Sequence, residues 1–136
     1  MAAAVLLKLG GLAVEPHFTE WARKTLAPIQ AMMAQYPLGF AQWLQALSYD
    51  LASPREIALV GDPGAKDTRA LLATLRQEYR PHQAVALAGS SGGVATVPLL
   101  RHRTPVDGQG TAYVCVRMVC QPPITEAKEL QARLAQ

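Results

Sequence analysis

The chain predicts an α+β or α/β fold: antiparallel N-terminal helices packed with a small, mostly parallel three-stranded sheet that contains a βαβ unit and is followed by a C-terminal helix. Three observations carry this. Apolar residues recur at helical spacing through the first fifty positions, the pattern changes near residue 55 to a short continuous apolar run, and a helical pattern then separates that run from a second one. At 136 residues, half of them hydrophobic, the chain is long enough to bury a core of its own.

Residues 2–14 are almost uniformly apolar, which predicts a helix buried on most sides and ended at Glu15-Pro16. Over residues 16–36, Phe18, Ala22, Ile29, Met33 and Tyr36 mark one helical face, with Pro28 placed to kink or split the helix. Phe40, Trp43, Leu44, Leu47 and Leu51 mark a third helix that ends before Ser53-Pro54. Short turns make the three antiparallel neighbours. The organisation is then a helical segment, 1–53, and a small α/β region, 54–136. Residues 56–60 read as a buried strand closed by Gly61-Asp62-Pro63-Gly64. A helix capped near Asp67 follows, running to about Tyr79 on the stripe Leu71, Leu72, Leu75 and Tyr79. Residues 83–88 form the second strand, parallel to the first through the helical crossover. Residues 89–93 read as a glycine–serine loop, 97–100 as a short helix, Asp107-Gly108 as a turn and 111–119 as the third strand. Thr125 is placed to cap a last helix, with Glu126 and Glu129 in its first turn, where the helix dipole favours acids.

Composition narrows the function classes. Charged residues make up 17% of the chain, against roughly 25% in ordinary soluble domains, which predicts that some surface is covered by a partner or by further chain. The net charge of +3 is scattered, with Arg101, His102 and Arg103 the only basic cluster, so neither nucleic acid nor a membrane is an expected partner. The apolar start has no basic region before it and is cut at Gly10-Gly11, unlike a signal peptide, and no apolar stretch reaches the roughly 20 residues that span a bilayer. Two cysteines without a secretory signal point to a reducing, cytoplasmic setting.

Two motifs carry candidate chemistry. Gly61, Gly64, Lys66 and Thr68 lie between a strand and a helix, where backbone N–H groups can cradle phosphate. The match to a phosphate loop fails at Ala65-Lys66-Asp67, and Asp62 and Asp67 would repel an anion, so a strand-ending turn plus helix cap is the competing reading. Cys115 and Cys120 are a candidate redox pair. On one extended strand, five residues at about 3.3 Å each would hold them roughly 16 Å apart, beyond bridging range; only a turn or bulge near Arg117-Met118 brings them together. Two buried thiols and a disulfide or reversible pair both stand. His17, His82 and His102 show no paired spacing with each other or with the cysteines, so no metal and no cofactor is expected. His102 between two arginines could meet an anion or simply lie in a solvated connection. Trp21, Trp43, Phe40 and Tyr36 fall on helix stripes, as core residues do. No complete catalytic constellation is present, and no catalytic activity is expected of this chain alone.

Ala112-Tyr113-Val114-Cys115 followed by Cys120-Gln121-Pro122-Pro123-Ile124-Thr125 resembles the closing motif of the spermatogenesis-associated, thioredoxin-domain-containing family. Phe40-Ala41-Gln42-Trp43-Leu44-Gln45-Ala46-Leu47, Arg55-Glu56-Ile57-Ala58-Leu59-Val60-Gly61-Asp62, Thr68-Arg69-Ala70-Leu71-Leu72 and Thr104-Pro105-Val106-Asp107-Gly108 resemble that family's C-terminal end in order and spacing. The resemblance covers essentially the whole chain. It implies a larger parent with a thioredoxin-like domain and a toroid of paired helices, like those of sugar epimerases and six-hairpin glycosidases, of which this chain is the last helices and the terminal α/β region. The family's thioredoxin motif is absent here, so no redox role transfers with the resemblance. The expectation is therefore a C-terminal structural and interaction domain of a parent linked to carbohydrate handling or thiol redox. Its expected partners are the parent's upstream domains or a second copy, through exposed helix faces. The alternatives are a small thiol-dependent redox domain using Cys115 and Cys120, and a nucleotide-binding α/β domain using residues 61–68.

Overall fold

The helical periodicity of the first fifty residues becomes four α-helices in the computed structural model, which describes residues 2–89, 96–117 and 119–135: α1 (Ala2–Ala13), α2 (Pro16–Leu26), α3 (Gln30–Gln35) and α4 (Ala41–Leu51). Pro28 splits the second predicted helix, as its missing N–H requires, into α2 and α3 joined by a 3₁₀ turn at Ala27–Ile29. Ala3 and Leu7 of α1 pack with Ala22 and Leu26 of α2 and with Ala46 and Tyr49 of α4. An Arg23–Asp50 ion pair, N···O 2.9 Å, ties α2 to α4.

Three expectations for this layer are corrected. α1 buries only the stripe Ala3, Leu7 and Gly10, leaving Val5 and Leu9 exposed, because α2 and α4 cover one side of it. α4 is rotated from its predicted stripe: Ala46 and Tyr49 turn inward, and Leu51 is 73% exposed. Tyr36, predicted on the inward face of the second helix, is exposed as well.

The remaining residues form one mixed sheet of β1 (Arg55–Val60), β2 (Gln83–Ala88), β3 (Thr111–Val116) and β4 (Val119–Cys120), in the order β2-β1-β3-β4. β1 and β2 are parallel and are connected through α5 (Lys66–Arg76), as the βαβ pattern predicted. The expected three-stranded, mostly parallel sheet is nonetheless corrected to four strands with two antiparallel ladders, β1–β3 and β3–β4. The predicted strand 111–119 ends at Val116 because the chain reverses there, Arg117 taking the left-handed conformation at φ 49°. The connection before β3 turns at Asp107-Gly108, both at positive φ, which delivers β3 antiparallel beside β1. The predicted loop 89–93 lies, beyond Gly89, outside the described residues.

β1 is buried along Glu56 to Val60, and its alternation sorts the rest of the core. Ile57 and Leu59 face Leu71 and Leu75 of α5 and Leu130 and Leu134 of α6 (Ala127–Leu134). Ala58 and Val60 face Leu99 and Leu100 of the 3₁₀ turn at Pro98–Leu100, with Leu12 of α1 alongside. Two helix ends differ from expectation. α5 stops at Arg76 and leaves Tyr79 89% exposed, and α6 starts after Glu126, with no side-chain cap from Thr125.

Leu71 is fully buried and Leu38 is 96% exposed. Leu71→Ala should therefore cost about 2–5 kcal/mol in denaturant unfolding and Leu38→Ala no more than about 0.5 kcal/mol; similar losses for the two would contradict the packing described.

Candidate functional site

The reversal after β3 places Cys120 directly opposite Cys115, with Val116 opposite Val119. Gln121 donates its N–H to the Val114 carbonyl at 3.0 Å, so the cysteines occupy the intervening pair without backbone hydrogen bonds, where facing side chains come closest. Their Cα atoms are 3.9 Å apart and the sulfurs are bonded. The chain then runs on beside β3 through Gln121-Pro122-Pro123 to Ile124, which exchanges two backbone hydrogen bonds with Ala112. The two prolines lack N–H donors and suit a sheet edge.

Arg103 stands over this pair. Its Nη2 lies 3.1 Å from Cys115 Sγ and 2.9 Å from Cys120 Sγ, while Nη1 donates to the Leu99 carbonyl at 2.8 Å. The guanidinium also sits 5.4 Å from the centre of the Tyr113 ring, whose hydroxyl donates to the Thr104 carbonyl at 2.8 Å. Arg103 Nε is buried with no partner, and desolvation lowers the guanidinium's affinity for its proton. His102, at φ 60°, turns the chain in front of Arg103. Of the expected basic cluster, Arg101 and His102 are exposed, while Arg103 is directed at the sulfurs.

On the other side of the row lies Glu56. In the β1–β3 register it faces Cys115, so the two side chains lie on the same face of the sheet. Glu56 is only 8% exposed beneath Gly11 of α1, and its Oε2 has no hydrogen-bond partner. Burial pushes its carboxyl above the ordinary carboxylate range. Cys115, Cys120, Arg103, His102, Glu15 and Glu56 line a common cleft of about 500 Å³, and Glu56 also borders a second cleft, of about 410 Å³, between α1, α2 and α4. Glu56 and Arg103 are the site residues that the sequence reading missed. A carboxylate leading directly into the apolar run from Ile57 to Val60 was the one available signal for Glu56.

The candidate phosphate loop is arranged differently. Asp62 Oδ1 accepts the Gly64 N–H at 2.9 Å, and Asp67 accepts the Thr68 N–H at 2.7 Å and the Gly110 N–H at 2.6 Å. Two amides of this turn, with that of Gly110, are thus committed to the chain's own carboxylates, and the Gly110 and Thr68 bonds hold the Asp67 carboxyl below its ordinary range. Thr68 is fully buried against Gly61 and Gly110 instead of facing solvent, and Lys66 points outward. A Cβ at Gly110 would lie 2.9 Å from the Thr68 backbone nitrogen, so this contact requires glycine. The geometry fastens α5 to the start of β3. Among the described residues no group of three or more His, Cys, Asp or Glu could hold a metal ion, and no helix is long and apolar enough to cross a membrane.

The chain is 31% identical over 134 residues to spermatogenesis-associated protein 20 of Rattus norvegicus, a match covering 96% of this chain and 17% of the rat protein. It is 30% identical over 132 residues to the Homo sapiens protein of the same name, covering 95% and 17%, and 30% identical over 123 residues to that of Mus musculus, covering 86% and 16%. The chain thus spans about a sixth of the length of these relatives. No protein-family model matches it, and no solved structure gives a significant match.

The Glu56 environment has a measurable consequence. A carboxyl raised in the folded state holds its proton more tightly there than in the unfolded chain, so its contribution to stability is full below the ordinary value of 4.5 and is lost as pH rises through the folded value. Denaturant unfolding across pH should show this decline in the native chain and a smaller one in Glu56→Gln, the variant gaining relative stability as pH rises. A difference that stays constant with pH would contradict the burial of an ionisable group there.

Proposed function

The chain belongs, as a segment matching 17% of the rat and human proteins, to the spermatogenesis-associated protein 20 family, and from this we propose that it is a structural and interaction domain within a larger polypeptide. The match is consistent with the C-terminal portion of that family. The observation that carries the reading is the concentration of exposed large apolar side chains on the helical layer, including Val5, Leu9, Trp21, Tyr36, Leu38 and Leu51. Exposure of this kind is what a surface shaped for neighbouring chain displays.

A groove of about 870 Å³ runs between α4 and the β2 side, lined by Leu38, Leu44 and Tyr49 on one wall and by Tyr79, His82 and Val85 on the other. β2 is a sheet edge, and Ser48 is hydrogen-bonded to His82 at 2.9 Å across the groove floor. In this reading the occupant is the preceding part of the parent chain, the helices α1–α4 close the α/α toroid that the resemblance implies, and the sheet caps its end. The parent's activity, linked to carbohydrate handling or thiol redox, resides in that preceding chain.

Hydrogen–deuterium exchange on the intact human relative and on its segment matching this chain tests the proposal. Amides in the counterparts of α1–α4 should exchange more slowly in the intact protein, while the counterpart of β1 is already protected in both. Equal exchange of those helices in the two forms would overturn it.

A further inference from the structure

The docking role leaves the cysteine row unexplained. Cys115 is 1% exposed, Cys120 is exposed, and one guanidinium nitrogen lies within 3.1 Å of both sulfurs. A neutral disulfide is a weak acceptor, so it rewards a partly buried cation poorly. None of the ion pairs among the described residues includes Arg103, although Glu15 and Glu56 line the same cleft. The guanidinium therefore faces the place where negative charge appears only when the S–S bond opens.

We propose that Cys115–Cys120 is a reversible disulfide that accepts two electrons from a dithiol, with attack at Cys120 and with Arg103 stabilising the departing Cys115 thiolate. Exposure selects the electrophile. One thiolate of the reductant attacks Cys120 Sγ, a bond forms between those two sulfurs, and the Cys115–Cys120 bond breaks with its electron pair leaving on Cys115 Sγ. The reductant's second thiolate then attacks its own sulfur in the mixed disulfide, releasing Cys120 as thiolate and closing the reductant as a disulfide. The two protons that the dithiol releases to solvent on ionising return to the cysteine thiolates according to their pKa, Cys115 last. The protein is reduced by two electrons and the dithiol is oxidised by two. A cation beside Cys115 favours the thiolate over the disulfide and so makes the pair more oxidising. The cleft of about 500 Å³ lined by both cysteines gives the reductant its approach to the exposed Cys120, past the exposed Arg101 and His102.

The test equilibrates the 136-residue chain against mixtures of reduced and oxidised dithiothreitol, then alkylates and counts thiols by mass. The native chain should interconvert fully while keeping its circular dichroism. Arg103→Met should shift the equilibrium about tenfold toward the disulfide, and Arg103→Lys should recover part of that shift. Brief exposure to glutathione should place the adduct on Cys120. In Cys120→Ser with Arg103 retained, ultraviolet titration of the Cys115 thiolate should give a pKa at least about one unit below the ordinary value of roughly 8.5. This last reading stands even where Arg103→Met fails to fold. Equal equilibria for native chain and folded Arg103→Met, an adduct on Cys115, reduction only on unfolding, or a Cys115 pKa at or above the ordinary value would each overturn the proposal.

Discussion

The antiparallel register between β1 and β3 is the constraint on which the other features depend. Because side chains alternate along each strand, pairing Ile57 with Val114 and Leu59 with Ala112 puts four apolar side chains on the face covered by α5 and α6. The same register sends Glu56 and Cys115 together to the opposite face, under α1 and the segment carrying Arg103. A slip of one residue would turn both sets over, placing Glu56 among the leucines and Ile57 on the side of the disulfide. The hydrophobic core and the polar row are thus two consequences of one pairing. The Asp67 contact to Gly110, immediately before β3, and the Arg117 hydrogen bond to Ser53, immediately before β1, fasten the two ends of that ladder.

The opposite face combines groups that are costly to bury. A carboxyl with a partnerless oxygen and a guanidinium with a partnerless nitrogen both line the cleft at the cysteine row, yet they form no ion pair with each other among the described residues. Each such group costs stability in the folded state. The helical layer shows the complementary pattern, with large apolar side chains left in solvent. The two patterns occupy different parts of the molecule.

Much of the architecture was legible in the sequence where local rules act alone. Pro28 divided its helix, the run from Ile57 to Val60 formed a buried strand, Asp107-Gly108 turned, and β1 and β2 paired in parallel around α5. Features set by tertiary context were not legible. Arg117-Met118 carries no glycine, asparagine or proline to mark a reversal, so residues 111–119 read as a single strand, and whether a turn there joined the two cysteines stayed open. Tyr49 displaced Leu51 from the core because α4 is oriented by α1 and α2 rather than by its own most apolar stripe. Arg103 lies in a Pro-bounded polar segment that read as solvated, and only the fold folds it back over Tyr113 and the sulfurs. Family resemblance located the cysteine motif but held no information on its geometry.

The register itself can be measured directly. Cross-strand nuclear Overhauser effects between β1 and β3 should connect Glu56 with Cys115 and Ala58 with Tyr113, in antiparallel order. Direct α-proton contacts pairing Ile57 with Cys115 in place of Val114, or a parallel pattern between the two strands, would contradict the account.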